Sequence, residues 1–377
     1  MNWSYPTSIK FGPGRISELA DHCKAVGLKK PLLVTDKALA ALPITAQALD
    51  VLEQGGLGRA VFSEVDPNPN EINMEAGLSV YRAGGHDGVV CFGGGSALDL
   101  GKMIAFMVGQ TRPVWDFEDV GDWWTRADAS KIAPIIAVPT TAGTGSEVGR
   151  AGVLTNSNTH VKKIIFHPKL LPAVTICDPD LTVGMPRFIT AGTGMDALAH
   201  CLEAYCAPFY HPMSQGIALE GMRLVFENLP LVYANPQDLQ ARAHMMSAAA
   251  MGAVAFQKGL GAIHSLSHPV GAVYGTHHGT TNAVVMPMVL TFNRAAIEPL
   301  IDRAAAYIGI PGGYAGFHER VMQLRKLLNI PANLSAMGVQ FADLDRLTDM
   351  ALQDPSCGGN PVAMTRDNTR ALFDACM

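Results

Sequence analysis

Three short runs of nearly unbroken apolar residues constrain this chain most: Pro31-Leu32-Leu33-Val34-Thr35-Asp36, Gly88-Val89-Val90-Cys91-Phe92 and Ala133-Pro134-Ile135-Ile136-Ala137-Val138-Pro139. Helix-like stretches, such as 72–84 and 96–108, lie between them. A strand that is apolar at every position is covered on both faces, which is the signature of a parallel sheet sandwiched by helices. The texture changes across the Pro- and Gly-containing stretch Asp178 to Pro186. Beyond it the pattern is helical almost throughout, over 191–205, 214–228, 239–255, 295–307, 319–328, 341–352 and 365–375. At 377 residues the chain is too long for one ordinary core. The expectation is an α/β domain over 1–183 and an all-helical domain over 184–377, with a site in a cleft between them.

Other classes are disfavoured. The net charge is −5 and the basic residues are scattered, so no basic stripe interleaved with aromatics speaks for nucleic acid. The residues Met1 to Pro6 lack a basic segment followed by an apolar run, as a secretory signal would have. The stretch from Met245 to Phe256 is too short and too rich in alanine to span a bilayer, so no membrane partner is expected. Seven cysteines occur without a CxxC pair, which suits reduced thiols in the cytoplasm.

Gly93-Gly94-Gly95-Ser96 sits directly between a strand and a helix. Glycines let the backbone approach a phosphate, Ser96 can cap the helix, and the helix N-terminus favours an anion. The full motif is GGGSxxDxxK, running through Asp99 and Lys102. Pro139-Thr140-Thr141-Ala142-Gly143-Thr144-Gly145-Ser146-Glu147 follows the next strand in the same way. A tight turn that binds nothing explains either loop alone. Two of them at the carboxyl ends of parallel strands favour a nucleotide site. Neither is the GxGxxG fingerprint, and the strand-terminal acid Asp36 precedes the glycine loop instead of following it, so this is not an ordinary Rossmann domain.

The helical half carries a second kind of chemistry. Asp196 and His200 are four apart and share one helix face; His264 and His268 form another such pair; His277-His278-Gly279 follows a Gly-rich turn. A lone histidine on an apolar face is usually a core residue, but three clusters among 12 histidines are harder to dismiss. A carboxylate with up to three imidazoles suits Fe(II), Zn(II), Mn(II) or Co(II). No cysteine accompanies them, which disfavours a structural thiolate zinc site. Spacing alone does not choose between His277 and His278.

In chain order, GGGSxxDxxK, PTTAGTGSE, GxxxDAxxHxxE from Gly192, GLGxxHxxxHxxG from Gly259 to Gly271, and His278-Gly279 with Asn282 together resemble the iron-containing, group III alcohol dehydrogenases, lactaldehyde reductase (1,2-propanediol oxidoreductase) among them. The resemblance runs from Pro6 and Phe11-Gly12-Pro13-Gly14 to the helical C-terminus. It implies a dehydroquinate synthase-like fold, with a dinucleotide-binding α/β half and metal ligands at Asp196, His200, His264 and His278. It also implies NAD contacts from Asp36, Asn68, Gly94, Gly95, Ser96, Thr140, Thr141, Thr144, Lys162 and Leu181. By the same pattern His268 is not a ligand but lies by the nicotinamide and substrate, a candidate catalytic proton relay. Iron is the metal by analogy, zinc the alternative, and a homodimer the assembly. The reaction expected is hydride transfer between a small primary alcohol or its aldehyde and NAD, with the metal as Lewis acid on the substrate oxygen.

Two rival readings are a dehydroquinate-synthase-like lyase, which needs a strongly basic pocket the helical half lacks, and a silent nucleotide-binding protein, against which intact ligands argue. The chain departs from the lactaldehyde-reductase pattern at Val148-Gly149-Arg150-Ala151, which puts a small diol substrate in question. If Arg150 and Lys258 reach one cleft, they favour an anionic aldehyde such as succinic semialdehyde. Otherwise Arg150 pairs with Glu147 or a pyrophosphate, and Lys258 caps a helix or sits in solvent.

Overall fold

The computed structural model describes residues 7–159 and 161–377, so the N-terminal reading of Met1 to Pro6 lies outside it. The described residues form two compact units: 7–141 with 145–183, and 184–377 with 142–144. The Thr/Gly loop is thus shared, and Thr144 groups with the helical unit instead of the contiguous 1–183 segment.

The first unit contains strands β1 (Ser8–Phe11), β2 (Pro31–Val34), β3 (Val61–Phe62), β4 (Gly88–Gly93), β5 (Ile135–Pro139), β6 (Ala151–Thr155), β7 (Lys162–Phe166) and β8 (Val174–Cys177). Six of them form a sheet in the order β1-β8-β5-β4-β2-β3, with every neighbouring pair parallel. Its helices are α1 (Leu19–Ala25), α2 (Lys37–Ala40), α3 (Pro43–Gln54), α4 (Glu71–Gly84) and α5 (Gly95–Met107). Successive strand residues point to opposite faces. Leu32, Val89, Cys91 and Ile135 pack with Leu78 of α4 and Phe106 of α5; Leu33, Val90, Phe92 and Ile136 pack with Leu19 of α1 and Leu52 of α3. That double covering is why the strands read as unbroken apolar runs, and each such side chain contributes about 1.5–3 kcal/mol by leaving water.

The antiparallel pair β6–β7 is not apparent from the sequence. Lys162-Lys163-Ile164-Ile165-Phe166 mixes charge with apolar residues, because most of this strand is only half buried. A buried cation ties the pair to the sheet unit. Lys102 on α5 has no solvent exposure, and its ammonium faces the carbonyls of Ser146, Gly149 and Ala151 at 2.5, 3.2 and 3.0 Å. Asp99, one turn earlier, accepts from Ser146 Oγ and from the Val153 amide of β6.

The helical unit contains α6 (Arg187–Cys206), α7 (Pro212–Ala234), α8 (Leu239–Ala255), α9 (Ala262–Tyr274), α10 (His278–Ile308), α11 (Gly313–Leu327), α12 (Leu344–Gln353) and α13 (Arg366–Cys376). α6 packs against α7, α8 and α10. The 31-residue α10 exceeds the expected 295–307 segment, since Pro287 and Pro299 read as breakers yet lie inside the helix. By length and composition alone α10 could cross a membrane, but it packs on α6, α9 and α11. Where α10 crosses α6 the backbones nearly touch: a Cβ on Gly279 would sit 2.1 Å from the Gly192 carbonyl oxygen and 2.9 Å from Asp196 Cβ. Only glycine fits there, and the contact sets the first turn of α10 beside Asp196.

Candidate functional site

Asp196 and His200 come from α6, His264 from α9 and His278 from the first position of α10. One donor atom from each lies within 4.8 Å of all the others. Asp196 Oδ1 is the hub, 3.8 Å from His200 Nε2, 3.8 Å from His264 Nε2 and 3.4 Å from His278 Nε2. These separations are too long for hydrogen bonds. They are close to what ligands roughly 2.0–2.2 Å from a shared ion would show.

The electrostatics of the pocket call for a cation. Burial works to raise the Asp196 carboxyl, yet the imidazoles of His200, His278 and His264 hold it well below the usual range. Burial pushes His200 down to about 4, so it is a neutral imidazole at neutral pH. Burial also acts to lower His264, but Asp196 and Glu203 push it up to about 9. Two buried carboxylates thus share this site, and uncompensated buried charge is costly. The donors fit a divalent first-row metal, which would take the place of the proton.

Outer partners hold the donors in place. Glu203 Oε2 lies 2.6 Å from His264 Nδ1, and Asn282 Nδ2 donates to Asp196 Oδ1 at 2.8 Å. His268 stacks on His278 with ring centroids 5.2 Å apart, and its Nδ1 lies 2.7 Å from Asp354 Oδ2. The adjacent histidines differ in their surroundings: His277 caps α10, its Nδ1 accepting from the Thr280 amide, while His278 Nε2 faces Asp196. Sequence reasoning gave no role to Glu203 or Asn282, which entered only as parts of motifs, and did not reach Asp354. Glu203 carried a signal, since its spacing from Asp196 and His200 keeps it on their helix face. Asp354 carried none, because its partner is 86 residues away.

In the first unit, Asp36 follows β2, Gly94, Gly95 and Ser96 follow β4, and Thr140 and Thr141 follow β5, at the carboxyl ends of three adjacent strands. The loops lie side by side: the Thr140 amide donates to the Gly93 carbonyl at 3.0 Å, and a Cβ on Gly94 would meet Thr141 Cγ2 at 3.3 Å. Gly93 has φ +145°, a value other residues rarely adopt. Ser96 does not cap α5 as expected. Gly94 is the N-cap with no side-chain bond, and Ser96 Oγ, one position into the helix, donates to the Pro67 carbonyl at 2.6 Å. The first amides of α5 therefore have no side-chain cap and suit an anion. Asp36 Oδ1 accepts from the Leu39 amide and caps α2. Asn68 is half buried next to Pro67. Leu181 is buried in the core cluster that holds Ile176 and Phe92, and Lys162 opens β7, where its charge acts on Asp99 of the glycine-loop motif.

Lys258 is internal. It is 3% exposed, and its ammonium donates to the Tyr205 carbonyl at the end of α6, 2.8 Å away. Burial lowers it to about 8. It caps the end of α6. Arg150 lies over the Phe166 ring, 5.2 Å from its centroid.

The sequence matches the family described as iron-containing alcohol dehydrogenase over residues 6–179, and that family's C-terminal domain over 190–377. It is 40% identical to a 4-hydroxybutyrate dehydrogenase of Cupriavidus necator, over 99% of each chain. The fold is similar to a solved 1,3-propanediol oxidoreductase with a TM-score of 0.94, at 34% identity over 100% of both chains. It is also similar to a sulfoacetaldehyde reductase from Bifidobacterium kashiwanohense in complex with NAD+, with a TM-score of 0.90, at 30% identity over 100% of this chain and 99% of that one.

Proposed function

The chain belongs to the iron-containing alcohol dehydrogenase family, NAD-linked oxidoreductases of alcohols and aldehydes, and we propose that Asp196, His200, His264 and His278 hold its metal. The observation that carries this is the convergence of three Nε2 atoms on one buried carboxylate oxygen. When bound, the metal supplies Lewis acidity toward the substrate oxygen and the nicotinamide accepts or donates the hydride. The chain's own residues do the rest. Asp354 holds the His268 ring so that its other nitrogen is free to take the hydroxyl proton. The uncapped amides at the start of α5 bind the cofactor pyrophosphate. Iron is first by family, and zinc-loaded protein is compatible with the reading because zinc binds such donors more tightly. NADH formation from primary alcohols, on protein reconstituted with Fe2+ or Zn2+, tests it.

Asp36 supports a preference for NAD. An acid at the end of β2 accepts from ribose hydroxyls and repels a 2′-phosphate. Asp36→Gly is expected to narrow the NAD-over-NADP ratio of kcat/KM by about tenfold or more, the effect of removing one such repulsion. Wild-type protein that uses NADPH as well as NADH would count against the assignment.

For the substrate, the 4-hydroxybutyrate dehydrogenase relative supports an ω-hydroxycarboxylate and its semialdehyde. With Lys258 internal, Arg150 is the member of the expected pair left to receive the carboxylate. Arg150→Ala is then expected to cost succinic semialdehyde about 1.5–3 kcal/mol in kcat/KM while sparing butanal. Equal losses for both aldehydes would mean that Arg150 does not select substrate. The seven free cysteines suit a reducing cytoplasm, and a homodimer completes the reading.

A further inference from the structure

Glu203 is not among the four proposed metal ligands, and the role inferred for it rests on those four holding a metal. It lies seven residues after Asp196 and three after His200, so α6 presents all three along one stripe. The side chain is nearly buried, with 7% residue exposure. Both of its oxygens are engaged by α9. Oε1 accepts from the Ile263 amide at 2.6 Å, in the first turn, where amides lack intrahelical acceptors and the helix dipole favours an anion. Oε2 lies 2.6 Å from His264 Nδ1. The space beside the carboxylate, lined also by Cys206, Asn293 and Asn360, amounts to about 20 Å3, too little to hydrate the group fully.

A carboxylate can only accept, so Nδ1 of His264 carries a proton; once a metal displaces the second proton, the lone pair of Nε2 is left facing Asp196 and the donor cluster. The opposite tautomer would aim an N–H at the donor cluster. We infer that Glu203 is a positioning residue: it fixes the tautomer and ring angle of His264, anchors the start of α9 to α6, and thereby sets the affinity of the site for its metal. One carboxylate does both tasks, so the ligand from α9 is held in register with the two from α6. Charge at Oε2 also strengthens the imidazole as a donor, an effect that outer-shell carboxylates exert on metal-bound histidines.

The test titrates Co2+ into metal-stripped full-length protein and follows both the dissociation constant and the visible absorption of the bound ion. Wild type should bind one Co2+; if it binds none, the metal reading falls and this inference with it. Glu203→Gln keeps the shape and removes the charge. It is expected to weaken Co2+ binding by about 10–100-fold and to shift the absorption band. Binding within about twofold of wild type, well below that range, overturns the inference while leaving the metal reading intact. Asn360 accepts from the neighbouring Ala262 amide at 3.1 Å without touching His264. Asn360→Ala is therefore expected to lower thermal stability and leave Co2+ affinity near wild type; an equal loss of affinity in both variants would mean that helix capping, not His264, is responsible. Should the glutamine variant fail to fold, Glu203→Asp withdraws the carboxylate by one methylene, and unchanged affinity there overturns the inference as well.

Discussion

Alanine in place of Asp196 is expected to give a folded protein that holds no metal and turns over no alcohol. Oδ1 of this residue faces all three imidazole nitrogens and accepts from Asn282. Its loss removes the negative charge that draws a dication and the atom on which the other donors converge. Lewis-acid stabilisation of a developing alkoxide is worth several kcal/mol, so kcat/KM should fall by about 10^3 or more. Elemental analysis should find the metal almost entirely lost, with the far-ultraviolet circular dichroism little changed, since only one buried side chain is shortened. Metal content equal to wild type, or full activity after metal stripping, would refute the site.

A comparably large effect on stability is expected at Lys102. Its ammonium faces the carbonyls of Ser146, Gly149 and Ala151 and the Ser146 hydroxyl, although it has only three hydrogens to give. Burial lowers this lysine against the field of Asp99, and burial raises Asp99 against the field of Lys102, so each charge is tolerable because of the other. Lys102→Met keeps the stem and removes the charge, leaving Asp99 and several carbonyls without their cation. Breaking a buried pair from one side is expected to cost about 3–5 kcal/mol, read as a lower midpoint in urea unfolding. A loss below about 1 kcal/mol would mean that the charge is not needed there. Ser146 belongs to the Thr/Gly loop, so weaker NAD binding should accompany the lost stability.

The three central strands β2, β4 and β5 were legible because parallel strands buried on both faces leave an apolar signature that depends only on local sequence; β1, β3 and β8 were not read. The two loops were legible for the same reason: each directly follows a strand, and their glycines and threonines are contiguous. Three histidine clusters were visible as spacings on helices. What they converge on was not, because His264 and His278 meet Asp196 through the crossing of α9 and α10 with α6. The role of Lys102 was hidden as well. The motif displays the residue, but its four acceptors lie 44 to 49 positions away. Lys258 shows the converse. A cation beside an apparent active-site helix suggested substrate binding, and only the Tyr205 carbonyl reveals it as a cap.

The near-contact of Gly192 with Gly279 sets local preference against global purpose. In an ordinary helix, replacing a glycine by alanine is a stabilising change of roughly 1 kcal/mol. Here a single methyl at position 279 would meet the Gly192 carbonyl at 2.1 Å and force α10 away from α6, carrying His278 with it. The same reasoning makes this crossing poor ground for adaptation. Families diverge most freely where a side chain can grow into empty space, and two helices meeting backbone to backbone offer none. Variation in what the enzyme accepts must arise elsewhere, while this pair of glycines keeps the distance between one carboxylate and one imidazole constant.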